Sequence, residues 1–206
     1  MIKDKRLLLI FTRNPELGKC KTRLALTIGD QAALDIYKFL LEHTADVTKK
    51  LPFTKWVCYS ESIKPNDHWQ AAAYEKKLQE GEDLGERMEN AFKAGFAAGY
   101  EQIIIIGSDL YDLSSGDLLQ AFEALHSSDV VIGPAQDGGY YLLGMKKLHP
   151  LVFRNKNWGT DSVLQDTYRD LDESNVTKLQ LKNDVDVYED IVDIPAFQPF
   201  LKHLKR

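Results

Sequence analysis

Four consecutive β-branched residues, Ile103-Ile104-Ile105-Ile106, constrain this chain more than any other stretch. Such a run suits a strand whose two faces are both covered, which is the situation of a central strand in a parallel sheet. A second apolar run, Leu7-Leu8-Leu9-Ile10-Phe11, reads as a first strand of the same kind. Between and after them, strand-like and helical segments alternate. Apolar residues recur at helical spacing from Leu34 to Val47, after Gly29-Asp30 and before Pro52. Trp56–Tyr59 reads as a strand, Ser62–Asp67 as a polar loop, Leu78-Gln79-Glu80 as a short edge strand, and Glu86–Ala98 as a helix stopping at Gly99.

Beyond the isoleucine run, the pattern predicts a helix over Ser114–Leu125 capped by Ser114 or Ser115, and strands at Asp129–Gly133 and Tyr140–Met145. It then predicts a helix at Thr160–Leu171, a strand at Val176–Leu181, a short helix at Tyr188–Val192 and an amphipathic helix at Pro195–Lys205. This alternation specifies an α/β fold with a mostly parallel sheet and helices on both faces. At 206 residues, with no linker and no internal repeat, the chain reads as a single domain. The formal charge of −5 argues against a general nucleic-acid binder. No apolar run approaches membrane length, and the five-residue run behind the charged start Met1–Arg6 is too short for a signal peptide. Cys20 and Cys58 have no metal-ligand spacing and read as reduced thiols of a cytoplasmic protein. The five histidines have no ligand spacing either.

Against this acidic background, Arg13, Lys19, Lys21 and Arg23 crowd into eleven residues immediately after the first strand, with Gly18 among them. A turn leaving the first parallel strand is a common place to hold nucleotide phosphates. Arg forks, Lys point charges and free backbone near Gly18 suit a polyphosphate, although an exposed charged turn has the same composition. The loop is neither a Walker A sequence nor a G-x-G-x-x-G turn. Asp109, in Gly107-Ser108-Asp109, lies just past the carboxyl end of the isoleucine strand, where ligands of open sheets bind. A carboxylate there can hold a hard divalent cation bridging to phosphate, or can simply form a turn.

Further along, Asp137-Gly138-Gly139-Tyr140-Tyr141 combines a flexible turn with a carboxylate able to contact a hydroxyl or act as a base, and with a tyrosine able to stack. It also has the composition of a hairpin turn. Asp184 and Asp186 alternate, so one or both can complete a metal site with Asp109, or Asp186 can cap the following turn with Glu189 at its third position. Asp83 and Arg87, in Gly81-Glu82-Asp83-Leu84-Gly85-Glu86-Arg87-Met88, suit a base or ribose contact or an ordinary helix start. Trp158-Gly159-Thr160-Asp161 suits an acceptor pocket or a Thr160 N-cap.

In this order, the motifs make a recognisable set. The basic loop ending Lys21-Thr22-Arg23-Leu24 is followed by Asp83–Met88, Gly107-Ser108-Asp109, Gly133-Pro134 with Asp137–Tyr141, Trp158-Gly159-Thr160, and Asp184-Val185-Asp186 with Glu189-Asp190. The chain resembles DUF2064, a bacterial family of predicted glycosyltransferases within the nucleotide-diphospho-sugar transferase superfamily. Arg13 stands where the family pattern leads one to expect Lys, Leu110-Tyr111 where Pro usually follows the Ser-Asp pair, and Val187 where Thr is expected.

The resemblance implies a GT-A-like three-layer α/β/α sandwich around a mixed, mostly parallel sheet. Residues to about 110 would form a nucleotide-binding half, and those from about 111 an acceptor half carrying the final metal ligand. It implies phosphate binding by Arg13, Lys21 and Arg23, and Mg²⁺ or Mn²⁺ held by Asp109 and Asp186. With the readings above, the expected nucleotide contacts are Arg13, Gly18, Lys19, Lys21, Arg23, Asp83, Arg87 and Ser108. The expected acceptor contacts are Asp137, Gly138, Gly139, Tyr140, Trp158 and Thr160, with Asp137, Lys21 and Arg23 as catalytic groups. The expected reaction is glycosyl transfer from a nucleotide-sugar to a small-molecule acceptor. Nucleotidyl transfer from an NTP to a phosphorylated acceptor, and nucleotide binding without catalysis, stand as alternatives; the oligomeric state is left open.

Overall fold

In the computed structural model, which describes residues 4–205, seven strands form one sheet in the order β3-β2-β1-β4-β6-β5-β7. The strands are β1 (Arg6–Thr12), β2 (Thr54–Tyr59), β3 (Glu75–Leu78), β4 (Gln102–Ile106), β5 (Val130–Pro134), β6 (Tyr140–Met145) and β7 (Val176–Lys178). β6 is antiparallel to both of its neighbours, β4 and β5, while the other four pairings are parallel. The sheet is therefore mixed and mostly parallel, as expected. Met1–Lys3, part of the charged start, lie outside the described residues. No helix among those described is long and apolar enough to cross a membrane.

The period-two alternation within each strand divides the core into two layers. Leu8, Ile10, Ile104 and Ile106 face α2 (Asp30–Thr48) and α4 (Ser115–Ser127). Leu7, Leu9, Ile103 and Ile105 face the opposite layer, which contains α3 (Leu84–Ala97) and α5 (Val163–Asp170). The isoleucine run is thus buried on both faces because helices lie on both. α4 begins with a complete capping box, in which Ser114 accepts from the Asp117 N–H and the Asp117 carboxylate accepts from the Ser114 N–H.

A third apolar cluster explains why α2 is buried along two sides. Its outer residues Ala33, Ile36 and Leu40 join Leu24 and Ile28 of the short helix α1 (Thr22–Ile28) and Val185, Ile191, Phe197 and Leu201 of the C-terminal segment. That segment, including 3₁₀ turns over Pro195–Lys205, lies against α2 and returns residues 184–186 to the loop after β1.

Several local expectations are corrected. The edge strand is Glu75–Leu78 instead of Leu78–Glu80, because edge position leaves Glu75 and Lys77 exposed and removes the apolar alternation that marks buried strands. α1 was not foreseen: seven residues inside a basic motif give too short a periodic signal. The helix expected at Thr160–Leu171 begins at Val163, because positive φ at Asn155 and Gly159 shapes turns ahead of it. Thr160 donates its hydroxyl to the Asn157 carbonyl at 2.8 Å and caps nothing. The strand expected at Val176–Leu181 stops at Lys178, and the last two helical segments are 3₁₀.

Phe197 is fully buried, with its ring edge-on to Phe39 at 5.6 Å and to Tyr111 at 5.0 Å. Phe197→Ala should lower the unfolding free energy by about 3–5 kcal/mol, the usual cost of truncating a core phenylalanine, as read by urea denaturation.

Candidate functional site

The chain leaves β1 toward β2 on one side of the sheet, whereas β4 lies on β1's other side. The carboxyl ends of β1 and β4 therefore flank a topological switch point, where open α/β sheets form a crevice. The loop after β1 supplies Arg13 through Arg23, and the loop after β4 supplies Gly107, Ser108 and Asp109.

Lys21 and Asp109 meet across this crevice, with Nζ 2.6 Å from Oδ2. Lys21 occupies the left-handed region at φ 50, ψ 47 just before α1, although it carries a Cβ. Its side chain is only 7% exposed. Burial opposes the Lys21 charge, but Asp109 outweighs it and, with Asp186 and Asp184, raises the ammonium's pKa. Burial likewise opposes the Asp109 charge, and the Lys21 ammonium, helped by Arg13, pulls the carboxyl below its ordinary value. Nearby, Arg23 pairs with Asp186 at 2.6 Å.

Asp186 is free to do so because it does not cap the turn that follows. The Asp190 carboxylate accepts from the backbone N–H groups of Asp186 (2.8 Å) and Val187 (2.7 Å). Asp190 ties the turn by reaching back to those two N–H groups, and the Asp186 side chain faces the basic loop.

Two residues that sequence reading did not single out fix the loop. Tyr37, on α2, accepts from the Arg13 N–H at 2.9 Å and lies 3.2 Å from the Arg13 carbonyl and 3.5 Å from Ser108 Oγ. Ser108 in turn donates to Thr12 Oγ1 at 3.2 Å. Buried Asn14 accepts from the Glu61 and Ser62 N–H groups and donates to the Ser62 carbonyl at 2.8 Å, joining the loop after β1 to the loop after β2. Tyr37 sat in a helical apolar pattern and read as core. The one local signal for Asn14 is a small polar residue just past a buried strand.

The crevice opens into two adjoining chambers that share Phe11, Leu84 and Asp109. The larger, about 800 Å³, is lined by the cations Arg13, Lys19, Lys21, Arg23 and Arg87 and by the carboxylates Glu61, Glu82, Asp83, Asp109 and Asp186, with Ser108 among them. The smaller, about 270 Å³, is lined by apolar and aromatic groups such as Met88, Tyr140 and Trp158, together with Thr160, Gly139, Asp137 and Asp184. Its charged lining among the described residues is entirely carboxylate: Asp109, Asp137 and Asp184. Asp184 has a raised pKa, from burial first and then from the charges of Asp137 and Asp109.

Most of the residues singled out thus come together, but several have structural duties. Gly18 and Gly138 line neither chamber. Gly18 turns the loop at φ +73, and the Lys19 N–H donates to the Glu16 carbonyl at 3.1 Å. Lys19 also pairs with Glu16 at the surface. Gly138, at φ +87, leaves only 2.4 Å between an ideal Cβ and the Asp161 backbone, so it lets the Asp137–Gly139 turn pack on the loop before α5. Asp83 caps α3, accepting from the Glu86 N–H at 2.8 Å, and Arg87 donates to the Gly81 carbonyl at 2.9 Å. Beside them, a Cβ on Gly85 would come within 2.2 Å of the Phe153 carbonyl oxygen and 2.8 Å of the Trp158 ring. Glycine there seats Trp158 against α3 at the wall of the smaller chamber.

The DUF2064 model, described as an uncharacterized protein conserved in bacteria, matches residues 43–160, more than half of the chain. The chain belongs to the DUF2064 family. It is similar to the crystal structure of a candidate nucleotide-diphospho-sugar transferase from Desulfovibrio desulfuricans G20, at 28% identity and TM-score 0.84, over 98% of this chain and 96% of that one. Two more distant structures share the fold. One is a cytidylyltransferase from Leptospira borgpetersenii serovar Hardjo-bovis, at 12% identity and TM-score 0.61, covering 98% and 94%. The other is Rv0371C from Mycobacterium tuberculosis H37Rv in complex with manganese, at 11% and 0.56, covering 90% and 95%. Among curated protein sequences no match was found. The fold of this DUF2064 protein is that of the nucleotide-diphospho-sugar transferases.

Tyr37→Phe keeps the ring but removes the acceptor of the Arg13 N–H. It should cost about 1–2 kcal/mol in urea denaturation, the price of one lost bond and a stranded donor. The Lys21–Asp109 pair carries a distinct pH signature. A depressed carboxyl stabilises the fold above its unfolded value, near 3.8, and loses that contribution as pH falls through the lower folded value. A raised ammonium stabilises below about 10.5 and loses its contribution only above that. The stability difference between wild type and Lys21→Met should therefore shrink as pH falls through the acidic range, starting above 3.8 because Asp109 left buried without Lys21 protonates more readily, as followed by denaturation at stepped pH.

Proposed function

We propose that this DUF2064 protein is a transferase acting on a nucleotide-activated donor, and that it moves a glycosyl group. The observation that carries this reading is the division of charge across the shared wall. The larger chamber holds five cations beside five carboxylates, so it offers a diphosphate its donors, and a chamber whose charges are all carboxylates adjoins it at Asp109. The bond to be broken would lie where they meet, between phosphate and the group in the smaller chamber.

Nucleotidyl transfer to a phosphorylated acceptor is supported less well. It would bring an anionic phosphate beside the carboxylates lining the smaller chamber, where like charges repel. A transferase of this fold is consistent with the similarity to the Desulfovibrio protein.

In this reading Arg13, Lys21 and Arg23 bind the diphosphate and stabilise the charge that builds on it as the glycosyl bond breaks. Preformed cations held by carboxylates suit that task, since a phosphate can take over the donors that Asp109 and Asp186 now accept. Asp137, whose Oδ1 accepts from the Gly139 N–H at 2.8 Å, is held by its own turn in the smaller chamber. It is the proposed base for an acceptor hydroxyl.

The fold family also implies a divalent cation. Asp109 and Asp186 offer the hard oxygen donors that Mg²⁺ or Mn²⁺ prefers. Among the described residues no three His, Cys, Asp or Glu side chains gather closely enough to hold a metal by themselves. The donor set therefore fits an ion completed by substrate phosphates, the usual habit of Mg²⁺, and such an ion would neutralise the diphosphate leaving group.

Analysis of products after incubation with donor and acceptor tests the reading: released nucleoside diphosphate supports it, and released pyrophosphate overturns it. Asp109→Asn should weaken Mn²⁺-dependent nucleotide binding by tenfold or more in calorimetry. Unchanged affinity would remove Asp109 from the proposed metal site.

A further inference from the structure

The smaller chamber is selective in its physical character. At about 270 Å³ it sits near the low end of small-molecule sites, which run from roughly 300 Å³ upward, so it admits a group about the size of one ring. Met88, Tyr140 and Trp158 give it apolar and aromatic walls. The carboxylates are differently placed. Asp109 is neutralised by Lys21 at 2.6 Å. Asp137 and Asp184 make no ion pair within 4 Å among the described residues, and the one recorded partner of the Asp137 carboxylate is the Gly139 N–H. Asp184 is half-buried beside low-dielectric walls, where a charge acts more strongly than it would in open water, while Asp137 is exposed at the edge of the chamber and more fully screened.

We infer that Asp137 and Asp184 make the smaller chamber a charge filter on the transferred group, admitting a neutral or amino-bearing glycosyl unit and rejecting an anionic one. This rests on the glycosyl-transfer reading above and adds to it the class of donor. A neutral sugar gives the two carboxylates hydroxyl donors and gives the aromatic walls its apolar C–H face. An amino group gives them a cation. A uronic acid sets a third carboxylate beside them, within a chamber that offers it no lysine, arginine or histidine among the described lining residues. Like charges confined in this way disfavour ionisation or binding, and one such contact at an effective dielectric of about 20 is enough to shift affinity by about tenfold or more. The cations of the larger chamber, and the divalent ion proposed on Asp109 and Asp186, would be engaged by the diphosphate.

The test is a binding experiment and needs no acceptor. Calorimetry with UDP, GDP, ADP, CDP and dTDP, in the presence of Mg²⁺, identifies the base. The bare diphosphate, its hexose conjugate and its hexuronate conjugate are then compared. The hexose conjugate should bind at least as tightly as the diphosphate, and the hexuronate conjugate about tenfold or more weakly than the hexose. Asp137→Asn should narrow that ratio at least about threefold while leaving affinity for the bare diphosphate within about twofold, which also shows that the variant is folded. Asp184→Asn should act in the same direction. A hexuronate that binds within twofold of the hexose in the wild type overturns the filter and leaves the donor reading standing. So does a ratio that neither variant changes. If none of the five diphosphates binds, the donor reading itself falls, and the filter with it.

Discussion

The ion pair between Lys21 and Asp109 is the contact on which the site depends. It joins the segment after β1 to the segment after β4 across the one crevice that the strand order creates. Neither charge could remain there alone. The Lys21 side chain is almost wholly buried, and an uncompensated buried ammonium would lose its proton or draw in water. The pair also accounts for an otherwise costly backbone. A residue with a Cβ in the left-handed region costs about 1–3 kcal/mol, and such strain persists only where the surroundings determine it. Here they do: Tyr37 and Asn14 hold the loop from two sides, and α1, anchored by Leu24 and Ile28, begins immediately afterward.

The C-terminal segment is the second support. Its apolar residues cover the outer face of α2, and that packing returns Asp184 and Asp186 to the loop after β1. Burial of Phe197, Ile191 and Leu201 thus sets the electrostatics of a cleft formed by strands far earlier in the chain. The same economy is seen in the glycines. Gly85 admits Trp158, and Gly138 admits the backbone of Asp161, so two motifs that resemble ligand loops also act as packing seams that shape the smaller chamber.

Much of this was legible in the sequence. The isoleucine run specified a strand covered on both faces, and the cations after β1 marked a candidate site, because both signals are local: composition in one case, position after a strand in the other. What was not legible is pairing. Lys21 and Asp109 are 88 residues apart, and nothing local says that one will hold the other. Asp186 had a plausible cap role, but the turn is tied from the other end, by Asp190 reaching back to the N–H groups of Asp186 and Val187. Tyr37 was hidden by its own packing, because a tyrosine at helical apolar spacing looks like core until its hydroxyl is placed. Antiparallel β6 was half visible: the hairpin composition of Asp137-Gly138-Gly139 fits its pairing with β5, whereas nothing local announced its pairing with β4.

The charge arrangement explains how five cations share one cleft: carboxylates equal in number line it with them. Lys21 and Arg23 are each held by a carboxylate at 2.6 Å, so they are kept in place without repelling one another or collapsing the loop. Lys21 keeps a low-exposure position that spares it the entropy of ordering a long side chain at the moment of binding. An arriving diphosphate would exchange one anionic partner for another and would need to create no new cation. The displaced carboxylates of Asp109 and Asp186 would then be left facing phosphate, an arrangement that a divalent ion bridging the two would relieve. The same two residues that keep the loop ordered without nucleotide are therefore those best placed to require a metal with it. Asp137 and Asp184, which make no ion pair within 4 Å among the described residues, stand apart as the groups proposed to face the sugar side of the bond.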